Sequence, residues 1–89
     1  MPVLLVPGVL RAEAGGASRL EIAAAGTLGA VLAEVGERWP MLARRIRDEQ
    51  GVVRRYVNVF VDGEKAGVET PVGAGSEIQV LPSVAGGCV

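Results

Sequence analysis

Residues 53–61 carry an alternation that leaves this chain little choice of architecture. Val57, Val59 and Val61 fall on one parity, and Tyr56, Asn58 and Phe60 on the other. Successive side chains of a strand point to opposite faces. An amide such as that of Asn58 is costly to bury without partners, so the valines face a core and the other parity faces away. A strand with one covered face needs a cover, and 89 residues leave room for a single core. The cover is legible upstream. Leu28, Val31, Leu32, Val35 and Trp39 recur at i, i+3, i+4, i+7 and i+11, the spacing of one helical face. Thr27 is a good N-cap for that helix, and Pro40 ends it by disfavouring helical geometry at the residue before it.

The remaining segments supply further strands. Residues 3–9 are apolar and β-branched, with Pro7 and Gly8 weakening the end of that run. Residues 11–16 read as a turn. Residues 18–22 then alternate polar and apolar, which predicts an antiparallel hairpin with the first strand. Residues 41–50 form a short second helix with Leu42 and Ile46 inward and Arg44, Arg45 and Arg47 outward. Asp62-Gly63 is a hairpin turn into a short strand over 64–67, and an irregular link over 70–75 leads to a last strand where Ile78 and Val80 point to the core. The order β-β-α-(short helix)-β-β-β predicts an α+β roll, one main helix laid across a mixed sheet of four or five strands. By parity, Leu4, Val6, Tyr56, Phe60 and Leu81 face away from the helix. An open sheet face with that much apolar surface is a candidate protein-docking surface.

Composition removes several function classes. There is no histidine and only one cysteine, so a Ser-His or Cys-His arrangement is impossible and zinc would lack its commonest ligands. A catalyst is not expected, and neither is a bound cofactor. A net charge of -1 gives no basic footprint for nucleic acid. No apolar run approaches the roughly 20 residues of a membrane span, and the start lacks the charged region of a signal peptide, so the expected compartment is the cytoplasm. Two local features stay open. Trp39 is either a ligand platform or, as such residues more often are, the closure of the core at the helix end. Arg44, Arg45, Arg47, Arg54 and Arg55 are a solvated face, a docking patch for an acidic partner, or a phosphate contact. Nothing glycine-rich lies beside them to cradle a phosphate, which favours the first.

The last eight residues, Pro82-Ser83-Val84-Ala85-Gly86-Gly87-Cys88-Val89, follow the final strand with nothing to pack. Pro82 cannot donate to a ladder and the two glycines have no side chain to bury, so residues 1–81 form the domain and 82–89 an extended arm. Residues 82–87 could reach about 20 Å at roughly 3.3 Å per residue. Such an arm is either an end inserted into another protein or a frayed terminus.

The stretches Gly26-Thr27-Leu28-Gly29-Ala30-Val31, Arg55-Tyr56-Val57-Asn58-Val59-Phe60-Val61 and Val80-Leu81-Pro82-Ser83-Val84-Ala85-Gly86-Gly87 occur in that order over most of the chain. In them the sequence resembles the ubiquitin-like sulfur carriers of the ThiS/MoaD family, CysO-type carriers in particular. The resemblance implies a β-grasp fold and a working Gly86-Gly87 terminus. A carboxylate with pKa about 3.3–3.7 is anionic at neutral pH and a poor electrophile. In the family a partner adenylyltransferase therefore spends ATP to convert it to a mixed anhydride, and sulfide or a persulfide then makes the thiocarboxylate. The resemblance also implies docking on that enzyme through Val6, Phe60, Leu81, Pro82, Val84 and Ala85, and a sulfur-accepting synthase as the next partner. Cysteine biosynthesis is the implied pathway, with thiamin, the molybdenum cofactor and sulfur-containing secondary metabolites as alternatives.

Cys88-Val89 departs from the simplest family pattern, because it leaves Gly87 without a free carboxylate. Carriers made with a short extension are trimmed by a JAMM-type zinc metalloprotease, and on that footing Cys88 and Val89 are a removable cover. A rival reading has Cys88 carry sulfur as a persulfide, but a free thiol of pKa about 8.5 with no activating neighbour is little ionised. A ubiquitin-like modifier joined to lysines through Gly87, and a non-covalent interaction module, are the other functions such a chain can serve.

Overall fold

The computed structural model describes residues 1–24 and 26–82. The five-stranded sheet is built from β1 (Val3–Leu5), β2 (Arg19–Glu21), β4 (Val57–Val61), β5 (Glu64–Lys65) and β7 (Glu77–Pro82), in the spatial order β2-β1-β7-β4-β5. The β1–β7 pair is parallel and the other three are antiparallel, so the sheet is mixed and its last strand lies at its centre. A separate two-stranded sheet joins β3 (Gly26–Thr27) to β6 (Pro71–Val72). Two helices, α1 (Leu28–Arg38) and α2 (Pro40–Ile46), complete the cover.

The expected helix forms for the expected reasons. The Thr27 hydroxyl accepts a 3.2 Å hydrogen bond from the Ala30 N–H, satisfying one of the donors that a helix start leaves unpaired. Leu28, Val31, Leu32 and Val35 are buried against the sheet. They meet Leu4, Leu20, Val57, Val59, Val61, Ile78 and Val80, all at most 6% exposed. Trp39 packs against this core half-buried, with the Arg38 guanidinium 4.2 Å from its ring centroid, so it closes the core.

Several boundaries differ from expectation. The first strand stops at Leu5, and Gly8–Ala14 forms a 3-10 helix that buries Leu10 and Ala14. Pro7 and Gly8 end the ladder there, and Gly15, at φ 69, supplies the left-handed residue that stops the 3-10 helix. Helix α2 begins at Pro40, whose missing N–H costs nothing in a first turn, and ends at Ile46 rather than reaching residue 50. The long strand over 53–61 is only Val57–Val61. Val53 makes an isolated bridge to Arg47, and Tyr56 lies in a turn, exposed. The last strand continues one residue past expectation, with Pro82 opposite Val57 at its end.

The largest correction concerns β1. Leu4 and Val6, assigned to the open face, are 0% and 3% exposed. Leu4 pairs with Leu20 on one side and Ile78 on the other, both core residues, and directly paired residues share a face. Val3 and Leu5 therefore take the outward parity. With apolar residues on both parities of Val3-Leu4-Leu5-Val6, the strand offers no polar residue by which to fix its orientation.

The Asp62-Gly63 turn is anchored in a way that positions β7. Both residues take positive φ, 53° and 88°, as a two-residue hairpin loop of the primed type requires. Asp62 Oδ1 accepts from the Glu77 N–H at 3.0 Å and Oδ2 from the Ser76 hydroxyl at 3.0 Å. The Ser76 Oγ in turn accepts from the Gly73 N–H at 2.9 Å. One carboxylate thus ties the hairpin tip to the start of the central strand.

Candidate functional site

The face of the sheet turned away from α1 is assembled from the outward parities of five strands. One row of paired residues crosses it: Arg19 of β2, Leu5 of β1, Gln79 of β7, Phe60 of β4 and Lys65 of β5. At about 4.8 Å between strands the row spans roughly 19 Å. The neighbouring row pairs Asn58 with Leu81. Leu81 is 45% exposed, while Leu5 and Phe60 are half-buried, which leaves an apolar patch in a polar frame. A shallow cleft lined by Leu5, Val6, Pro7, Gln79, Val80 and Leu81 runs beside it.

Of the residues expected to dock a partner, Phe60 and Leu81 stand on this face, and Pro82 ends β7 beside it, half-buried. Val6 lines the cleft but is 3% exposed, a core residue that gives the patch almost no surface. Its neighbours Leu5 and Pro7, both half-buried, supply the accessible surface there. Sequence reasoning missed them, although Leu20 paired in a hairpin with Leu4 would have set the parity had the register been known. Val84, Ala85, Gly86, Gly87, Cys88 and Val89 lie outside the described residues. The strand that leads to them is the central one, and it ends where Leu81 marks the edge of the apolar patch.

The arginine cluster is largely accounted for by local bonds. Arg45 pairs with Glu13 at 3.3 Å, Arg47 donates to the Leu32 carbonyl at 3.3 Å, and Arg54 donates from Nε to the Arg44 carbonyl at 2.7 Å. These tie α2 to the 3-10 helix, to α1 and to the turn before β4. Asp48 and Glu49 share the same surface and offset its charge. Among the described residues, no group of three His, Cys, Asp or Glu side chains is placed to hold a metal ion. No described helix is long and apolar enough to cross a membrane.

One carboxylate has a displaced pKa. Glu34 is held below its ordinary value, chiefly by the backbone N–H of Ala23, then by the Arg38 guanidinium and the Ala24 N–H. Arg38 also donates to the Glu21 carbonyl at 3.1 Å. This cluster binds α1 to the end of β2, on the opposite side of the sheet from the apolar patch.

A mixed sheet with a helix across one face, an open apolar face on the other and its last strand at the centre defines a ubiquitin-like protein of the β-grasp fold. The chain belongs to the ThiS family, whose model matches residues 4–87. It is 32% identical over 88 residues to the sulfur carrier protein CysO of Mycobacterium tuberculosis, covering 92% of this chain and 94% of the relative. The crystal structure of that organism's CysO superposes with a TM-score of 0.84 at 27% identity, covering 94% of this chain and 100% of the other. CysO of Amycolatopsis orientalis, crystallised as a BexX/CysO complex, gives 0.87 at 28% identity, with coverage of 96% and 98%. The small archaeal modifier protein 1 of Haloferax volcanii gives 0.77 at 25% identity, with coverage of 93% and 97%.

Proposed function

We propose that this protein is a sulfur carrier whose Gly87 carboxyl is activated by adenylation and converted to a thiocarboxylate. The observation that carries the reading is the family match itself, which runs from the first strand to Gly87 and stops on the diglycine. Removal of Cys88-Val89 by a metalloprotease frees the carboxylate. Its oxygen attacks the α-phosphorus of ATP, pyrophosphate leaves, and an acyl adenylate forms. Sulfide, or the terminal sulfur of a persulfide that is afterwards reduced, attacks the acyl carbon and displaces AMP. The thiocarboxylate sulfur is then the nucleophile passed to an acceptor, with cysteine formation by a sulfur-accepting synthase as the leading pathway.

The chain contributes no acid or base to these steps. It contributes a handle and a thin end. Leu5, Phe60 and Leu81 give the adenylyltransferase an apolar surface to grip, while Gly86 and Gly87 add no side chain to the width of the tip. Intact-mass measurement on protein from the native host tests the reading. Loss of the Cys-Val mass, with one oxygen exchanged for sulfur in the charged fraction, is expected. An uncleaved chain that nevertheless carries sulfur sinks it.

A second reading, a modifier joined to lysines through Gly87, draws on the likeness to the small archaeal modifier protein. Both readings share the adenylate and diverge in the nucleophile that opens it. Conjugates of higher mass in host lysates that disappear in a Gly87→Ala variant favour the modifier. A thiocarboxylate without conjugates favours the carrier.

A further inference from the structure

Residues 44–55 hold five of the nine basic residues of this chain and only two of its ten acidic ones, Asp48 and Glu49. That segment is therefore +3, and the chain's net -1 leaves -4 for everything else. Local bonds hold Arg45, Arg47 and the Nε of Arg54, whereas the exposed guanidiniums of Arg44 and Arg55 have no ion pair or hydrogen bond among the described residues. Asp48 is turned to its own loop, where Oδ1 accepts from the N–H groups of Gln50 and Val52 at 2.9 and 3.0 Å. Two clefts that share Asp48 and Arg54 join the rest: Arg44, Arg47 and Glu49 complete one, Arg55 and Tyr56 the other. Tyr56 is 54% exposed, and so is Met41 at 58%, one turn before Arg44 and Arg45 on α2. Arginine, tyrosine and methionine without lysine is the composition of a protein interface. The position matters as much. Val57 pairs with Pro82 at the end of β7, and its N–H donates to the Arg54 carbonyl at 3.0 Å. Gly87 is five positions beyond Pro82, so an enzyme that reacts there has its site within about 18 Å of Pro82. An interface of ordinary size, about 800 Å² a side, then takes in the Arg54–Tyr56 turn.

We propose that this basic surface is the docking site for the enzyme that takes sulfur from Gly87, through an acidic segment at the entrance to that enzyme's site. The proposal rests on the sulfur-carrier reading. Helix α2 packs on the covered side of the sheet through Leu42 and Ile46, so Arg44 and its neighbours stand away from Leu5, Phe60 and Leu81. The two surfaces also differ in chemistry, one apolar and one cationic. A charged carrier can thus be met by the second enzyme on a face that the first leaves free. Opposite charge raises the rate of that encounter and sets its orientation. The partner is an acidic protein rather than a nucleic acid, because a polyanion long enough to pass the patch meets the surrounding -4.

The test compares two purified host enzymes, the adenylyltransferase and the sulfur-accepting synthase, using the chain that ends at Gly87. For the synthase, the thiocarboxylate is installed chemically. The double variant Arg44→Glu, Arg55→Glu is expected to raise KM for sulfur transfer at least about tenfold with kcat nearly unchanged, and to remove the salt dependence of that KM. Its KM with the adenylyltransferase is expected to stay within about twofold, while Phe60→Asp gives the reverse pattern. Arg44→Gln with Arg55→Gln, expected to lie between, serves if the charge-reversed chain does not fold. An unchanged KM at the synthase, an equal loss at both enzymes, or a synthase that takes no sulfur from the unmodified chain overturns the assignment. A second measurement needs no sulfur: a short polyglutamate peptide titrated into the full chain is expected to shift the backbone amide signals of residues 44–56, and not in the double variant. Shifts confined to the outer face, or tighter binding of a single-stranded oligonucleotide of equal charge, overturn the acidic-protein partner. The carrier reading fails separately, by native mass.

Discussion

The two faces of the five-stranded sheet are alternate residues of the same strands, and they serve opposite ends. On the inner face Leu4, Val57, Val59, Ile78 and Val80 are at most 5% exposed and pack under α1. On the outer face Leu5, Phe60 and Leu81 are apolar as well, yet no element of the described chain covers them. The difference lies in what each face can lose. An inner residue is tied to the folded state, because its removal leaves a void in a close-packed core. An outer residue can contribute its transfer free energy only to binding, since no described element of the chain buries it. Moving one position along a strand crosses from one economy to the other.

The sharpest way to break this comparison is a neighbouring pair in the first strand region. Val6→Asp puts a charge into the core and is expected to cost at least about 3 kcal/mol, seen as a collapse of the denaturant midpoint. Leu5→Asp, one position away, is expected to cost less than about 1 kcal/mol. Equal losses would mean that the inner and outer parities are not separable. Next in size is a binding effect. Phe60→Asp should weaken capture by the activating enzyme by about 2 kcal/mol, roughly thirtyfold, with the melting transition nearly in place. Unfolding of that variant would make Phe60 a structural residue.

Smaller effects sharpen the account of how the faces are held in register. Asp62→Ala removes two acceptors from the hairpin tip and a residue that tolerates positive φ. A loss of about 1–2 kcal/mol is expected, measured by urea unfolding. The smallest effect is pH-dependent. The native pKa of Glu34 is lowered, so its contribution is present above the ordinary glutamate pKa and is lost as pH falls through the lowered one. Glu34→Gln should therefore flatten the acid limb of the stability profile while leaving the outer face's binding unchanged. An acid limb identical to that of the parent would show that the cluster contributes nothing.

Legibility followed polarity. The face of β4 could be read because Asn58 interrupts one parity, and α1 because five apolar residues repeat at helical spacing between a Thr cap and a Pro stop. The face of β1 could not, since Val3, Leu4, Leu5 and Val6 are interchangeable to any argument from hydrophobicity. Their orientation is set by pairing with Leu20 and Ile78, 16 and 74 residues away. The two-residue strands Gly26–Thr27 and Pro71–Val72 were invisible for a related reason, being too short to show a period. In the candidate site, Phe60 and Leu81 were found from local alternation. Leu5 and Pro7 needed the tertiary register, and the Lys65 position needed the pairing across the Asp62-Gly63 turn.

The place of β7 at the middle of the sheet, beside the first strand and parallel to it, has a consequence for how the protein is made. Of the described strands, a ribosome delivers the central one last. Until Glu77–Pro82 has left the exit tunnel, β1 and β2 have no bond to β4 and β5, and the core has no middle. Closure of the sheet then waits for β7 and is slowed by the long loop that must shut. A product broken off before β7 is open to proteases, so folded copies are those translated through the strand that leads to the tail.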